Sequence, residues 1–285
     1  MKQSVLQTSL LTTLTMIAFA SNSVLNRLAL AQNTIDAASY TTIRLITGAL
    51  MLFIVASLQR KKTEQTILGG SWLSAAFLFL YAIAFSFAYL SLTTGTGALI
   101  LFGSVQVTMI VVALKSGECP QPLEWLGLSL ALGGLVYLVF PGLAAPSLLG
   151  SALMVTAGIA WGFYSIRGHG SQNPLADTAG NFVYAVPMIL LIRMLTLGNV
   201  HVSTNGALLA TLSGALASGV GYVIWYMALR GLTTTRAAIV QLSVPVIAAW
   251  SGVFLLGENV SVRLLFAGAL ILGGIGLSVS IRGKR

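Results

Sequence analysis

The chain alternates long apolar runs with short polar joints. A helix needs about 20 apolar residues to cross a bilayer. Runs of roughly that length fall near 8–28, 36–58, 71–91, 96–114, 123–140, 147–167, 178–196, 207–229, 236–256 and 262–281. The first is too long for the core of a signal peptide, so it is expected to be the first span. The pattern predicts an all-α integral membrane protein with ten transmembrane helices.

The pattern also repeats. Leu92-Thr93-Thr94 returns as Leu232-Thr233-Thr234, an offset of 140 residues. The same offset carries Ala98 onto Ala238, Gly117-Glu118 onto Gly257-Glu258, and Leu132-Gly133-Gly134 onto Leu272-Gly273-Gly274. Two unrelated apolar helices would not hold one register over so long a stretch. The chain reads as a duplication, residues 1–145 and 146–285, each half a five-helix repeat. The joint is Phe140-Pro141-Gly142-Leu143-Ala144-Ala145-Pro146, whose two prolines stop helices.

Composition agrees with lipid as the main solvent. Of 285 residues, 56% are hydrophobic and 7% charged, against about 25% charged in a soluble domain. The net charge of +9 could indicate nucleic-acid binding, but Lys and Arg sit between the apolar runs, as in membrane loops. With the N-terminus inside, inner loops hold Lys2, Arg60, Lys61, Lys62, Lys115, Arg167, Arg230, Arg236, Arg282, Lys284 and Arg285. Outer loops keep Arg27, Arg193 and Arg263. That bias puts both termini in the cytoplasm. Five spans per half then turn the second half over, so the repeats are inverted. Inverted repeats suit alternating access, with a site where the halves meet.

Several residues support a family resemblance. Phe19-Ala20-Ser21-Asn22, Arg44, the Gly-Glu after spans 4 and 9 and the Leu-Gly-Gly of spans 5 and 10 resemble the drug/metabolite transporter superfamily. The similarity is to its EamA-type ten-span branch, and within it most to the bacterial aromatic amino acid exporters. The resemblance implies a multi-pass protein of the bacterial inner membrane that exports small metabolites. One departure stands out: the family's span-4 proline is Val105, while its repeat partner Pro245 is present. The halves are therefore expected to bend unequally.

Candidate lining residues are aromatic or amide-bearing. Phe77, Tyr81, Phe85 and Tyr89 recur every four residues in span 3, and so share one helical face. Tyr222, Trp225 and Tyr226 share a face of span 8; Trp161 and Tyr164 lie in span 6; Thr15, Phe19, Asn22 and Asn26 line span 1. Aromatic faces stack on rings and hold ammonium groups at about 0.5–2 kcal/mol per contact, and Asn amides bond carboxylates. The substrate-binding set is Asn22, Tyr81, Phe85, Gln106, Trp161, Tyr164, Tyr222, Trp225 and Gln241, with Pro245 as hinge. The competing reading is a membrane-interface belt or lipid-facing filler, which suits Trp72 and Tyr89 near span ends. Asn22 could also glue helices together.

Arg44 lies eight residues into span 2, ~12 Å from its start. No acid in a span can pair with it. It could snorkel, bond helix-end carbonyls or meet a substrate carboxylate, and a structural role is the expectation. Asp36, Glu64, Glu118, Glu124, Asp177, Glu258, His169 and His201 all map to loops or helix ends. A proton-coupled carrier usually buries such a group, so a facilitator running down its substrate gradient is expected. The glutamates of the two Gly-Glu pairs are expected to cap the helices that follow them.

Nothing points to an enzyme. There is no Walker loop, no nucleophile beside a base and no metal cluster, and the single Cys119 gives neither disulfide nor metal spacing. No cofactor and no nucleic-acid partner are expected; the partners are a small-molecule substrate and membrane lipid. The glycine-rich spans 5 and 10 can pack on each other or form a dimer, leaving monomer and homodimer open. The alternatives to an amino acid facilitator are a proton-coupled exporter of another substrate class, a membrane receptor and a lipid-modifying enzyme.

Overall fold

The computed structural model describes residues 4–59, 68–117, 121–139, 146–195, 200–259 and 261–280. Lys2, Arg60, Lys61, Lys62, Glu64, Glu118, Cys119, the 140–145 joint, Arg282, Lys284 and Arg285 lie outside the described residues.

Among the described residues every regular element is helical. In order these are α1 (Val5–Ala31), α2 (Ala37–Gln59), α3 (Trp72–Ala88), α4 (Thr94–Lys115), α5 (Pro122–Val139), α6 (Leu148–Gly168) and α7 (Pro174–Leu195). Next, α8 (Thr204–Leu212) passes through a π-helical segment, Ser213–Val220, into α9 (Gly221–Leu229). Then come α10 (Thr234–Gln241), α11 (Val244–Leu256) and α12 (Val262–Ser280). Seven continuous runs are long and apolar enough to cross a membrane; α3 is shorter but equally apolar.

Serines start the helices where the sequence supplies them. Ser4, Ser71, Ser147 and Ser203 each accept the backbone N–H three residues on, and Asp36 does the same for Ser39. Each satisfies a donor that the first turn cannot. In lipid this matters more, because no water replaces the missing partner.

The helices pair in a regular way. α3 packs on α6, and the α8–α9 run packs on α1. α2 lies against α7, α4 against α11, and α5 against α12. The two glycine-rich helices thus pack on each other. A Cβ at Gly134 would meet the Ala267 carbonyl at 3.0 Å, so the backbones touch there. A Cβ at Gly214 would lie 2.2 Å from the Arg44 carbonyl, and this contact brings the π-segment onto α2.

The chain also closes on itself through its loops. Ile35 and Val202 form an antiparallel bridge. Asp36 N–H donates to the His201 carbonyl at 2.9 Å, and His201 N–H donates to Asp36 Oδ2 at 3.0 Å. Elsewhere Gly69 N–H donates to the Ala176 carbonyl, Gly70 N–H to Asp177 Oδ1 and Ser71 N–H to Asn181 Oδ1.

α4 runs unbroken through Val105, while the helix around Pro245 stops at Gln241, as α10, and restarts at Val244, as α11. The break is where Pro245, lacking an N–H, cannot donate to Gln241. The expected inequality of the two helices is present.

Candidate functional site

The centre of the molecule is an aromatic cluster drawn from both sequence halves. Phe19 of α1 meets Trp161 of α6 edge-on at 5.1 Å between ring centroids, Tyr222 of α9 at 5.8 Å and Trp225 at 5.6 Å. Tyr81 of α3 lies 4.9 Å from Trp161 and 5.3 Å from Phe85. Trp161 also contacts Tyr222 at 4.6 Å and Tyr164 at 5.3 Å. Seven of the nine expected binding residues therefore converge here or on the polar chain beside it: Asn22, Tyr81, Phe85, Trp161, Tyr164, Tyr222 and Trp225. Gln241 joins as an acceptor, its Oε1 2.8 Å from Trp161 Nε1. Gln106 is buried in α4 with Oε1 unpartnered.

The rings fill the space that a lining would leave open. Between Phe19, Tyr81, Phe85, Leu101, Phe102 and Trp161 remains a cavity of about 10 Å³. That holds about one water, and no amino acid. In this conformation the aromatic residues pack against one another.

Beside the rings runs a polar chain that sequence reasoning only partly anticipated. Arg44 is 1% exposed. Its Nε donates to Ser218 Oγ at 2.9 Å, and its Nη2 donates to Tyr222 Oη at 2.7 Å and Tyr81 Oη at 3.1 Å. Its guanidinium also lies about 5 Å from the ring centroids of Tyr81 and Phe85, within cation–π range. Ser218 in turn donates to Asn22 Oδ1 at 3.1 Å, and Ser213 donates to the same oxygen at 2.7 Å.

The π-helix makes that double contact. Residues five apart on an α-helix point about 140° away from each other. A π-helix bonds i to i+5 and stacks them, so Ser213 and Ser218 reach one amide. No α-periodic reading of the sequence would pair them. Phe102, stacked 6.3 Å from Phe19, and Phe182, 5.8 Å from Tyr222, were also missed. Both look like filler in sequence.

Two expectations are corrected. Tyr89 is not an interface residue: it is fully buried, its hydroxyl donates to the Thr94 carbonyl, and its ring occupies the space left by Gly97. Trp72 does sit at the surface, 59% exposed and stacked on Tyr184. Glu258 does not serve the helix after it. Its carboxylate accepts from Thr94 N–H at 3.0 and 3.1 Å, at the start of α4, and from Arg27 Nε at 3.3 Å. The loop turns back because Gly257 takes a left-handed φ of 63°.

Among the described residues no group of three His, Cys, Asp or Glu side chains could hold a metal. Asp36 sits outside the helices. Partial burial pushes its carboxyl up, but the Ser39 hydroxyl and the N–H groups of Ser39 and His201 outweigh this and hold it below its ordinary value.

Comparison with known proteins gives this architecture a family. A model of the EamA-like transporter family matches residues 148–280. An uncharacterised protein of Pseudomonas aeruginosa is 49% identical over 97% of this chain and 96% of its own. The threonine/homoserine exporter RhtA of Escherichia coli is 30% identical over 61% of this chain and 60% of its own. Residues 148–280 are thus an EamA-like transporter domain. Like the rest of the drug/metabolite transporter superfamily the chain is a multi-pass membrane transporter and no enzyme. A transporter of Archaeoglobus fulgidus is 25% identical over 66% of the chain and 68% of its own. A solved crystal structure aligns over 96% of this chain and 98% of its own, with a TM-score of 0.70 at 18% identity, a likeness of fold.

Proposed function

We propose that this transporter exports amino acids, aromatic or other neutral ones, across the bacterial inner membrane by alternating access. In this reading ten spans form two inverted halves, 1–145 and 146–285, with both termini cytoplasmic. The observation that carries it is the aromatic cluster, built from α1, α3 and α4 of one half and α6 and α9 of the other. A site at such a seam opens to either side as the halves rock. The pairings support inversion: α3 on α6 mirrors the α8–α9 run on α1, and α2–α7, α4–α11 and α5–α12 pair with their own counterparts.

The shut cavity fits an occluded form, in which Tyr81, Trp161 and Tyr222 move apart to admit substrate. An aromatic side chain would take the place of their mutual stacking, and this supports an aromatic amino acid. The distant resemblance to RhtA, a threonine/homoserine exporter, supports the wider class of neutral amino acids. The acids and histidines of the described residues stand at helix ends or in loops, which supports a facilitator without a proton site.

Counterflow in proteoliposomes tests the reading. Vesicles preloaded with L-phenylalanine or L-threonine are expected to accumulate the labelled form of the same compound. Absence of counterflow with both, and with the other neutral amino acids, would exclude amino acid export.

A further inference from the structure

We propose that Arg44 and Asn22 form an anchor for the substrate's carboxylate, so that the transporter selects molecules carrying that group and rejects amines lacking it. The inference rests on the amino acid reading and deepens it.

The starting point is a cation without a counter-ion. Arg44 lies eight residues into α2 and is 1% exposed, and its recorded partners are the hydroxyls of Ser218, Tyr81 and Tyr222. Among the described residues the one ion pair joins Arg27 to Glu258, so no carboxylate neutralises Arg44. A buried charge at membrane depth is costly, and such residues mark substrate paths or pair with a partner. Hydroxyls and ring faces solvate the guanidinium but leave its charge in place.

Two buried donors in this chain are left unpartnered. Arg44 Nη1 has no hydrogen-bond partner, and neither has Asn22 Nδ2, although both are buried. Ser218 bridges the two side chains, 2.9 Å from Arg44 Nε and 3.1 Å from Asn22 Oδ1. Because Arg44 donates to Ser218, Ser218 must pass its own proton on. Asn22 therefore turns its oxygen to the serines and leaves its NH₂ free. A guanidinium N–H and an amide N–H beside one bridging hydroxyl match the two oxygens of a carboxylate, and Arg suits that planar acceptor.

The rings next to this pair belong to the cluster already described. Tyr81 and Phe85 cover the guanidinium on one side and line the small cavity on the other. A molecule with its carboxylate on Arg44 and Asn22 would displace the Tyr81 ring and lay its side chain among Phe19, Phe102 and Trp161. A positive site excludes organic cations: an amine without a carboxylate would bring a second positive charge to Arg44.

The test compares L-phenylalanine with L-phenylalaninamide and phenethylamine as competitors of counterflow, and as ligands in thermal-shift measurements on the purified protein. The wild type is expected to favour the acid over both by roughly tenfold or more, as for a lost hydrogen bond to a charged group. Arg44→Gln should bring the ratio close to one. Asn22→Asp, which supplies a carboxylate to Arg44 from within, should abolish the preference for the acid without loss of phenethylamine binding, and it serves if Arg44→Gln fails to fold. If the acid, the amide and the amine bind the wild type alike, the anchor is wrong while amino acid transport stands. A fall in flux with an unchanged acid-to-amide ratio in Arg44→Gln or Asn22→Asp would make Arg44 structural. If the wild type carries no amino acid at all, the amino acid reading falls and takes the anchor with it.

Discussion

Arg27 and Glu258 are 231 residues apart in sequence and form an ion pair, Nε to Oε1 at 3.3 Å. The pair does not stand alone: Arg27 Nη1 donates to the Tyr89 carbonyl at 3.0 Å, and Glu258 caps α4 at Thr94. One carboxylate of the second half thus ties down two helices of the first. With the proposed orientation this knot would lie on the outer face and serve there as a latch.

Glu258→Ala should loosen that latch. The lost cap and ion pair together amount to about 1–2 kcal/mol, a five- to thirtyfold change in population. A cysteine at Ser23, one turn below Arg27, reports it in a Cys119→Ser background. Its labelling by an impermeant thiol reagent should be faster by about that factor. Unchanged labelling would make the pair a static brace.

Trp161→Ala should cost both stability and substrate affinity. The ring touches Phe19, Tyr81, Tyr164 and Tyr222 and donates to Gln241, and removing a packed Trp costs about 3–5 kcal/mol. An open cavity wall would give little loss of stability; the packed cluster implies a lower melting temperature. Trp161→Phe keeps the ring and loses the Nε1 bond, so its melting temperature should lie between the two.

Acid should weaken the Asp36–His201 clip. The carboxyl of Asp36 is held below its usual value, so its stabilisation is complete above the unfolded-state pKa of about 3.9 and lost as pH falls through the lower folded value. Wild type should melt higher than Asp36→Asn at pH 5 to 7, and the gap should close below about pH 4. A gap that widens on acidification would reverse the assignment.

Flux of a neutral amino acid should proceed without an imposed proton gradient. Reconstituted uptake down a substrate gradient should survive a protonophore. Abolition of uptake in intact vesicles would point to a titrating group on the path.

Both termini should be cytoplasmic. Lys2→Cys and Lys284→Cys, each in the Cys119→Ser background, should resist an impermeant thiol reagent in intact cells. Labelling of either would overturn the orientation.

What could be read directly from the chain was the material for helices and the identity of the special side chains. Apolar runs of span length predict helices because an unpaired peptide group is intolerable in lipid. The Val105–Pro245 contrast announced which of the two helices would break, because that is a local property of one ring. The four-residue spacing in α3 correctly put Tyr81 and Phe85 on one face, while Phe77 stacks on Phe163 at 5.2 Å instead of joining the cluster.

Tertiary structure decided who meets whom. Glu258 looked like a cap for its own neighbour and serves Thr94, because a loop turned by Gly257 brings it to a different helix end. Tyr89 looked like an interface residue and is buried, because Gly97 leaves room for its ring. Ser213 and Ser218 had no visible relation, since only a π-turn stacks residues five apart. Arg44 could be seen as an unpaired cation from its position in a span, but its hydroxyl partners come from α3, the π-segment and α9. Local physics acts over one helical turn and is written in residue order, whereas hydrogen bonds across helices depend on register, rotation and close backbone approach, which follow only when all the helices are packed together.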